Sequence, residues 1–242
     1  MQSKFDTLYT PSQVFTVLSS ALLLVSLLPL CTQSVDNEVD QNTLYRITEF
    51  FRQTYEIGQF AVTINVPMNQ CENGFIPSTS PVFLTQDRNV NVKIIISVDN
   101  YPVYNGIELI AAGIQKTPTP AHSEFLLMNP LNASPLTVLL NKRNDGCVIF
   151  YTLNSPCINT CLSTTNWYNI IPGLDKLQAY QGIKAFAFSN IWIHDQNNIN
   201  ELKEKLQEIA SRIPLYRCFG GACTLCGKPG SNAEINGACL NV

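Results

Sequence analysis

Cys147-Val148-Ile149-Phe150-Tyr151-Thr152-Leu153-Asn154-Ser155-Pro156-Cys157-Ile158-Asn159-Thr160-Cys161 is the stretch that decides the fold. Residues 147–153 form a near-continuous run of apolar and β-branched side chains, the pattern of a strand buried on both faces. Such a strand needs helices above and below its sheet. The run stops at Asn154, and Ser155-Pro156 predicts the first turn of a short helix. Cys157 and Cys161 then stand at i and i+4 on one helical face, so both sulfurs can point at one ion. A helix N-terminus also favours thiolate over thiol.

The partner of this pair lies upstream, at His122-Ser123-Glu124. His122, Cys157 and Cys161 can hold a zinc ion and leave its fourth position open for water, the geometry of catalytic rather than structural zinc. Zinc lowers the pKa of a bound water toward about 7. Glu124, two residues from a ligand, can move that water's protons without occupying the metal. Each half alone is weak: a lone His is more often a core or surface residue, and two Cys in an exported chain are more often disulfide partners. Their order, separation and shared placement at helix starts make one site the better reading.

Outward from this centre, Asn42 to Glu56 carries Leu44, Ile47, Phe51 and Tyr55 at amphipathic spacing and predicts a helix. Phe60 to Val66 and Val92 to Val98 predict strands, with a long loop from Met68 to Asn91 between them. Gly106 to Ile114 either extends the second strand or forms a third. A helix begins near Ala121, breaks at Pro130 and restarts with Ser134 as its cap and Pro135 in its first turn. Lys184 to Ile193 predicts a strand, and Asn198 to Arg212 a helix with Asn198 and Glu201 as a capping box. Leu215 to Phe219 predicts a last strand, parallel to its predecessor because a helix joins the two. The expected fold class is α/β: a three-layer α/β/α sandwich on a five-stranded mixed sheet, spanning 35–219, with a Cys-rich tail of little core content over 220–242.

The chain from about Asp40 to Phe219 resembles the cytidine deaminase superfamily, in particular secreted members of its AID/APOBEC-like branch, a group linked to immunity. The layout H-x-E … P-C-x-x-C is that of zinc deaminases acting on nucleobases, and Ser155-Pro156-Cys157 matches the family's S-P-C. Ser123 and the extra residue between Cys157 and Cys161 are departures that leave the assignment standing. The resemblance implies Zn2+ on His122, Cys157 and Cys161, with Glu124 as proton shuttle. It implies that the loop Trp192 to Asn198 selects substrate, where Trp192 either stacks on a base or belongs to the core and His194 either touches phosphate or is solvated. The implied partner is a cytosine-containing nucleoside or single-stranded nucleic acid. The alternative is a non-catalytic secreted recognition module with a structural zinc.

Export is also written in the sequence. Lys4 precedes an apolar run from Val14 to Leu30, broken by Pro29 and followed by polar residues, which predicts a signal peptide over 1–34 rather than a membrane anchor. Its removal takes away one Lys and one Asp, so the net charge of −3 is unchanged. A mildly acidic chain with scattered Lys and Arg lacks the basic stripe that grips long nucleic acid. Cleavage also removes Cys31 and leaves no stable membrane association. Apart from the proposed ligands, Cys71, Cys147, Cys218, Cys223, Cys226 and Cys239 remain, an even set suited to disulfides outside the cell. Cys223-Thr224-Leu225-Cys226 has the spacing of a second, structural zinc site, the less favoured use of the same residues. Asn132-Ala133-Ser134 is a glycosylation sequon, with Pro135 directly after it working against its use.

Overall fold

The computed structural model describes residues 38–242. The expected signal peptide lies outside them. Among the described residues, no helix is long and apolar enough to cross a membrane.

Helix α1, Gln41–Tyr55, starts where Asp40 accepts a hydrogen bond from the Thr43 N–H at 2.8 Å. Its face of Leu44, Ile47, Phe51 and Tyr55 is buried, each large side chain contributing roughly 1.5–3 kcal/mol by leaving water. Strands β1 (Phe60–Val66), β2 (Val103–Asn105), β3 (Leu109–Gly113), β4 (Cys147–Asn154), β5 (Ile183–Asn190), β6 (Leu215–Phe219) and β7 (Ala222–Gly227) make one sheet in the order β2-β3-β1-β4-β5-β6-β7. β4, β5 and β6 run parallel, and the other pairings are antiparallel.

β4 shows why the quoted stretch fixes the architecture. Val148 and Phe150 belong to one core, with residues of α3 (Ser123–Met128), α4 (Pro135–Lys142), α5 (Ile171–Ala179) and α6 (Ile199–Ala210). Cys147, Ile149 and Tyr151 belong to the other, with α1, α2 (Val92–Ile96) and the loop before it. Successive side chains thus feed two cores in alternation. Phe150 stacks on Phe186 of β5 with ring centroids 4.9 Å apart. The break at Pro130 and the restart at Ser134 are as expected, Ser134 Oγ accepting from the Thr137 N–H.

Several expectations are corrected. The sheet has seven strands, not five. Val92–Val98 is not a strand; it holds α2, whose first turn is capped by Asn91. Only Val92 and Ile96 are buried there, while Ile94 is 62% and Val98 47% exposed, a helical period hidden inside an apolar run. The end of α2 lies so close to β3 that a Cβ at Gly113 would sit 2.0 Å from the Ile96 carbonyl oxygen. Gly106–Ile114 contributes β3, which pairs with the unpredicted β2. Asp87, in the long loop, anchors that hairpin by accepting from Tyr104 Oη and from the Ile107, Glu108 and Leu109 N–H groups. Asn198 makes no side-chain cap to α6, so the capping box does not form.

The segment after Gly220 is not coreless: it supplies β7 and buries Cys223, Cys226, Ile235 and Cys239. The Arg217 guanidinium ties it down by donating to the Ser189 and Cys239 carbonyls. The six Cys set aside from the metal site pair as Cys71–Cys147, Cys218–Cys223 and Cys226–Cys239. That uses the C-terminal four as disulfides rather than as a second zinc site.

Candidate metal centre

His122 is the N-cap residue of α3, held by an isolated bridge in which Gln115 and Ala121 exchange N–H···O=C bonds at 3.0 Å. Cys157 follows β4 directly, and the Ser155 N–H donates to the Asn190 carbonyl at 2.7 Å. The expected helix over Cys157–Cys161 is absent. In its place is a turn closed by the Leu162 N–H on the Cys157 carbonyl at 3.0 Å. That bond spans five residues, one more than an α-helical turn, which is how the extra residue is accommodated. The helix-terminus argument for thiolate therefore falls away. Its place is taken by a single amide, the Cys161 N–H, 3.4 Å from Cys157 Sγ.

The sequence-predicted ligands do meet. His122 Nδ1 is 3.3 Å from Cys161 Sγ and 3.5 Å from Cys157 Sγ, and the two sulfurs are 3.5 Å apart. A tetrahedral zinc with bonds of about 2.0 Å to nitrogen and 2.3 Å to sulfur sets its ligand atoms about 3.5–3.8 Å apart, close to this triangle. Cys157 and Cys161 are the free cysteines among the described residues. Without metal, the pKa of the Cys157 thiol is held down to about 3, first by its hydrogen bond with the Cys161 thiol and further by His122. Cys161 is pushed up by the same hydrogen bond and by burial. His122 is raised by its contact with Cys157. This donor set, one imidazole and two thiols of which Cys157 ionises readily, fits a zinc ion.

Glu124 is 1% exposed. Its Oε1 accepts from Thr152 Oγ1 at 2.9 Å and from Gln59 Nε2 at 3.2 Å, and its Oε2 accepts from Ser123 Oγ at 3.0 Å. Burial raises its pKa above the usual carboxylate value, against the pull of its own backbone N–H, of His122 and of Thr152. Gln59 is saturated. Its amide also donates to Thr152 Oγ1 at 3.0 Å, and its Oε1 accepts from the Asn154 backbone N–H at 3.2 Å and from Asn154 Nδ2 at 2.7 Å.

Above His122, Glu124 and Cys157 lies a cavity walled by Gln59, Ile114, Asn154, Ser155 and Trp192. Its free volume of about 20 Å³ is room for one water. Trp192 is half-buried against the core and forms one wall of this cavity. Its backbone N–H donates to Ser155 Oγ at 3.0 Å. His194 is exposed, packs edge-on against Trp192 at 5.2 Å and does not line the cavity. Asn132 is exposed in the turn between α3 and α4. A larger groove beside Phe125, Met128 and Trp167 contains none of the three ligands.

Gln59, Thr152, Asn154 and Asp195 were not singled out from the sequence. Once β1 and β4 are paired antiparallel with Ala61 opposite Thr152, extending the register places Gln59 opposite Asn154. That pairing was the missing signal. Asp195, 3% exposed, accepts from the Ile158 N–H at 3.1 Å and so pegs the Trp192 loop to the cysteine turn.

A family model described as Secreted Novel AID/APOBEC-like Deaminase 1 matches residues 41–242. No curated protein and no solved structure matches the chain.

Proposed function

The chain belongs to the Secreted Novel AID/APOBEC-like Deaminase 1 family, and on that premise we propose that it is an exported zinc-dependent deaminase converting cytosine to uracil. One observation carries this reading: a fully buried carboxylate, Glu124, fixed by three side-chain donors beside a His–Cys–Cys triangle. A structural metal site has no use for such a group, and burying it is costly.

His122, Cys157 and Cys161 would hold the zinc, which when bound supplies Lewis acidity that makes water a better nucleophile. In the reaction the water oxygen adds to C4 of cytosine, the C4–N bond breaks, and uracil and ammonia leave. Glu124 moves the water's two protons in turn, one to the ring nitrogen and the other to the departing amine. Burial pushes its pKa up, which favours its holding the proton between the two halves of that task. Thr152, Gln59 and Ser123 keep its oxygens aimed. Trp192, Ile114 and Gln59 shield the reacting atoms from bulk water. The three disulfides support an extracellular setting. The two cores across the sheet support reading the fold as a three-layer α/β/α sandwich. A role in immunity rests on the family resemblance.

The narrow cavity favours one other reading, a recognition module that keeps zinc as a staple. Ammonia release from cytosine-containing substrates by the zinc-loaded protein separates the two. Deamination that falls at least about 100-fold in Glu124→Gln supports the enzyme. Full activity in that variant refutes the mechanism.

A further inference from the structure

We propose that the substrate is a neutral, unphosphorylated cytosine nucleoside, and that Asn154 reads its sugar hydroxyl. This rests on the deaminase reading above and narrows its substrate class.

The first argument is charge. Glu124 is the single formally charged acid among the cavity's lining residues, and no Lys or Arg lines it. The lining residues Gln59, Ile114 and Trp192 sit in the segments 56–59, 114–121 and 192–198. Lys116 is their one Lys or Arg, and Asp99 neutralises it at 2.8 Å. The cysteine turn and the stretch after it, 155–170, add none. A site that holds a nucleotide or a strand needs cations or a row of free N–H groups where phosphates fall. His194 is the one further basic group there, and it stands outside the cavity.

The second argument is what the cavity offers instead. Gln59 spends both of its N–H groups and its carbonyl within the protein. Asn154 lines the cavity and spends one N–H, on Gln59, while its Oδ1 and second N–H have no protein partner among the described residues. A primary amide with a donor and an acceptor side by side complements a hydroxyl, which both donates and accepts. It has no particular affinity for a phosphate dianion. Because the free volume holds about one water, a base enters only if part of the cavity wall moves.

The test compares cytidine, cytidine 5′-monophosphate and a cytosine-containing single-stranded oligonucleotide on the zinc-loaded protein. Turnover is read as ammonia release, and Kd is read on the Glu124→Gln variant. We expect kcat/KM for cytidine at least about tenfold above that for either phosphorylated substrate, and little change between low and high salt. Asn154→Ala should raise the cytidine Kd about tenfold, the loss of one hydrogen bond, while binding of free cytosine stays level. Preference for the monophosphate or the oligonucleotide, or a steep salt dependence, overturns the inference and leaves the deaminase intact. No turnover of any of the three refutes the deaminase reading. The Kd series then still decides which ligand the site takes: tighter binding of cytidine upholds the nucleoside as its ligand, and no binding or tighter binding of the oligonucleotide ends the inference. An unchanged Kd in Asn154→Ala removes Asn154 from the assignment.

Discussion

Two cysteine pairs of nearly equal spacing meet opposite fates in this chain. Cys218 and Cys223 lie directly opposite each other across the β6–β7 hairpin and are bonded. Cys157 and Cys161 lie in a wide turn, with sulfurs 3.5 Å apart, and are free. Sequence separation does not decide between a staple and a ligand pair. The third group does: His122 Nδ1 stands within 3.5 Å of both free sulfurs, and a turn that offers an N–H to Cys157 Sγ stabilises thiolate rather than disulfide.

The contrast breaks most visibly if a ligand is removed. His122→Ala or Cys161→Ala should reduce bound zinc from about one per chain to near zero by elemental analysis, with deamination lost by at least about 1,000-fold. Cys218→Ala/Cys223→Ala should keep both. Zinc retained in full by His122→Ala would show that the triangle is not the site. The staples should register in stability instead. Cys71–Cys147 closes a separation of 76 residues and Cys218–Cys223 one of 5. Removing the first should therefore cost about 4 kcal/mol and the second about 2 in urea unfolding of zinc-saturated protein. Equal losses would argue against a chain-entropy origin.

The smallest effect concerns Glu124 in zinc-free protein. Burial raises its folded pKa above 4.5, so in the window above that value the folded chain holds a proton that the unfolded chain has released. Stability therefore falls as pH rises through the window. Glu124→Gln lacks this titration, so its Tm should exceed that of the wild type at pH 7, with the gap closing as pH drops toward 4. A gap that widens toward acid reverses the sign and rules out burial as the cause.

The same contrast explains what could be read from the sequence. α1, β1, β4, β5 and β6 announce themselves because one periodicity dominates each, and His122, Glu124, Cys157 and Cys161 because their spacing carries specific chemistry. α2 was hidden: Val92-Lys93-Ile94-Ile95-Ile96 has the composition of a buried strand, and Asn91 as a cap outweighs it. β7 was hidden because glycine and cysteine mask a strand that the disulfides and Arg217 secure. Gln59 has no motif at all. It matters because strand pairing brings residues 59, 152 and 154 together beside Glu124 of α3, and pairing is a long-range property.

The hydrogen bond from the Ile158 N–H to Asp195 has a consequence for engineering. Any attempt to retarget this protein by grafting a foreign segment over 192–198 also edits the support of its metal-binding turn. Grafts that preserve an acceptor at 195 keep that tie; under the proposed function, those that do not would read as failures of substrate choice when what they had lost was the ion.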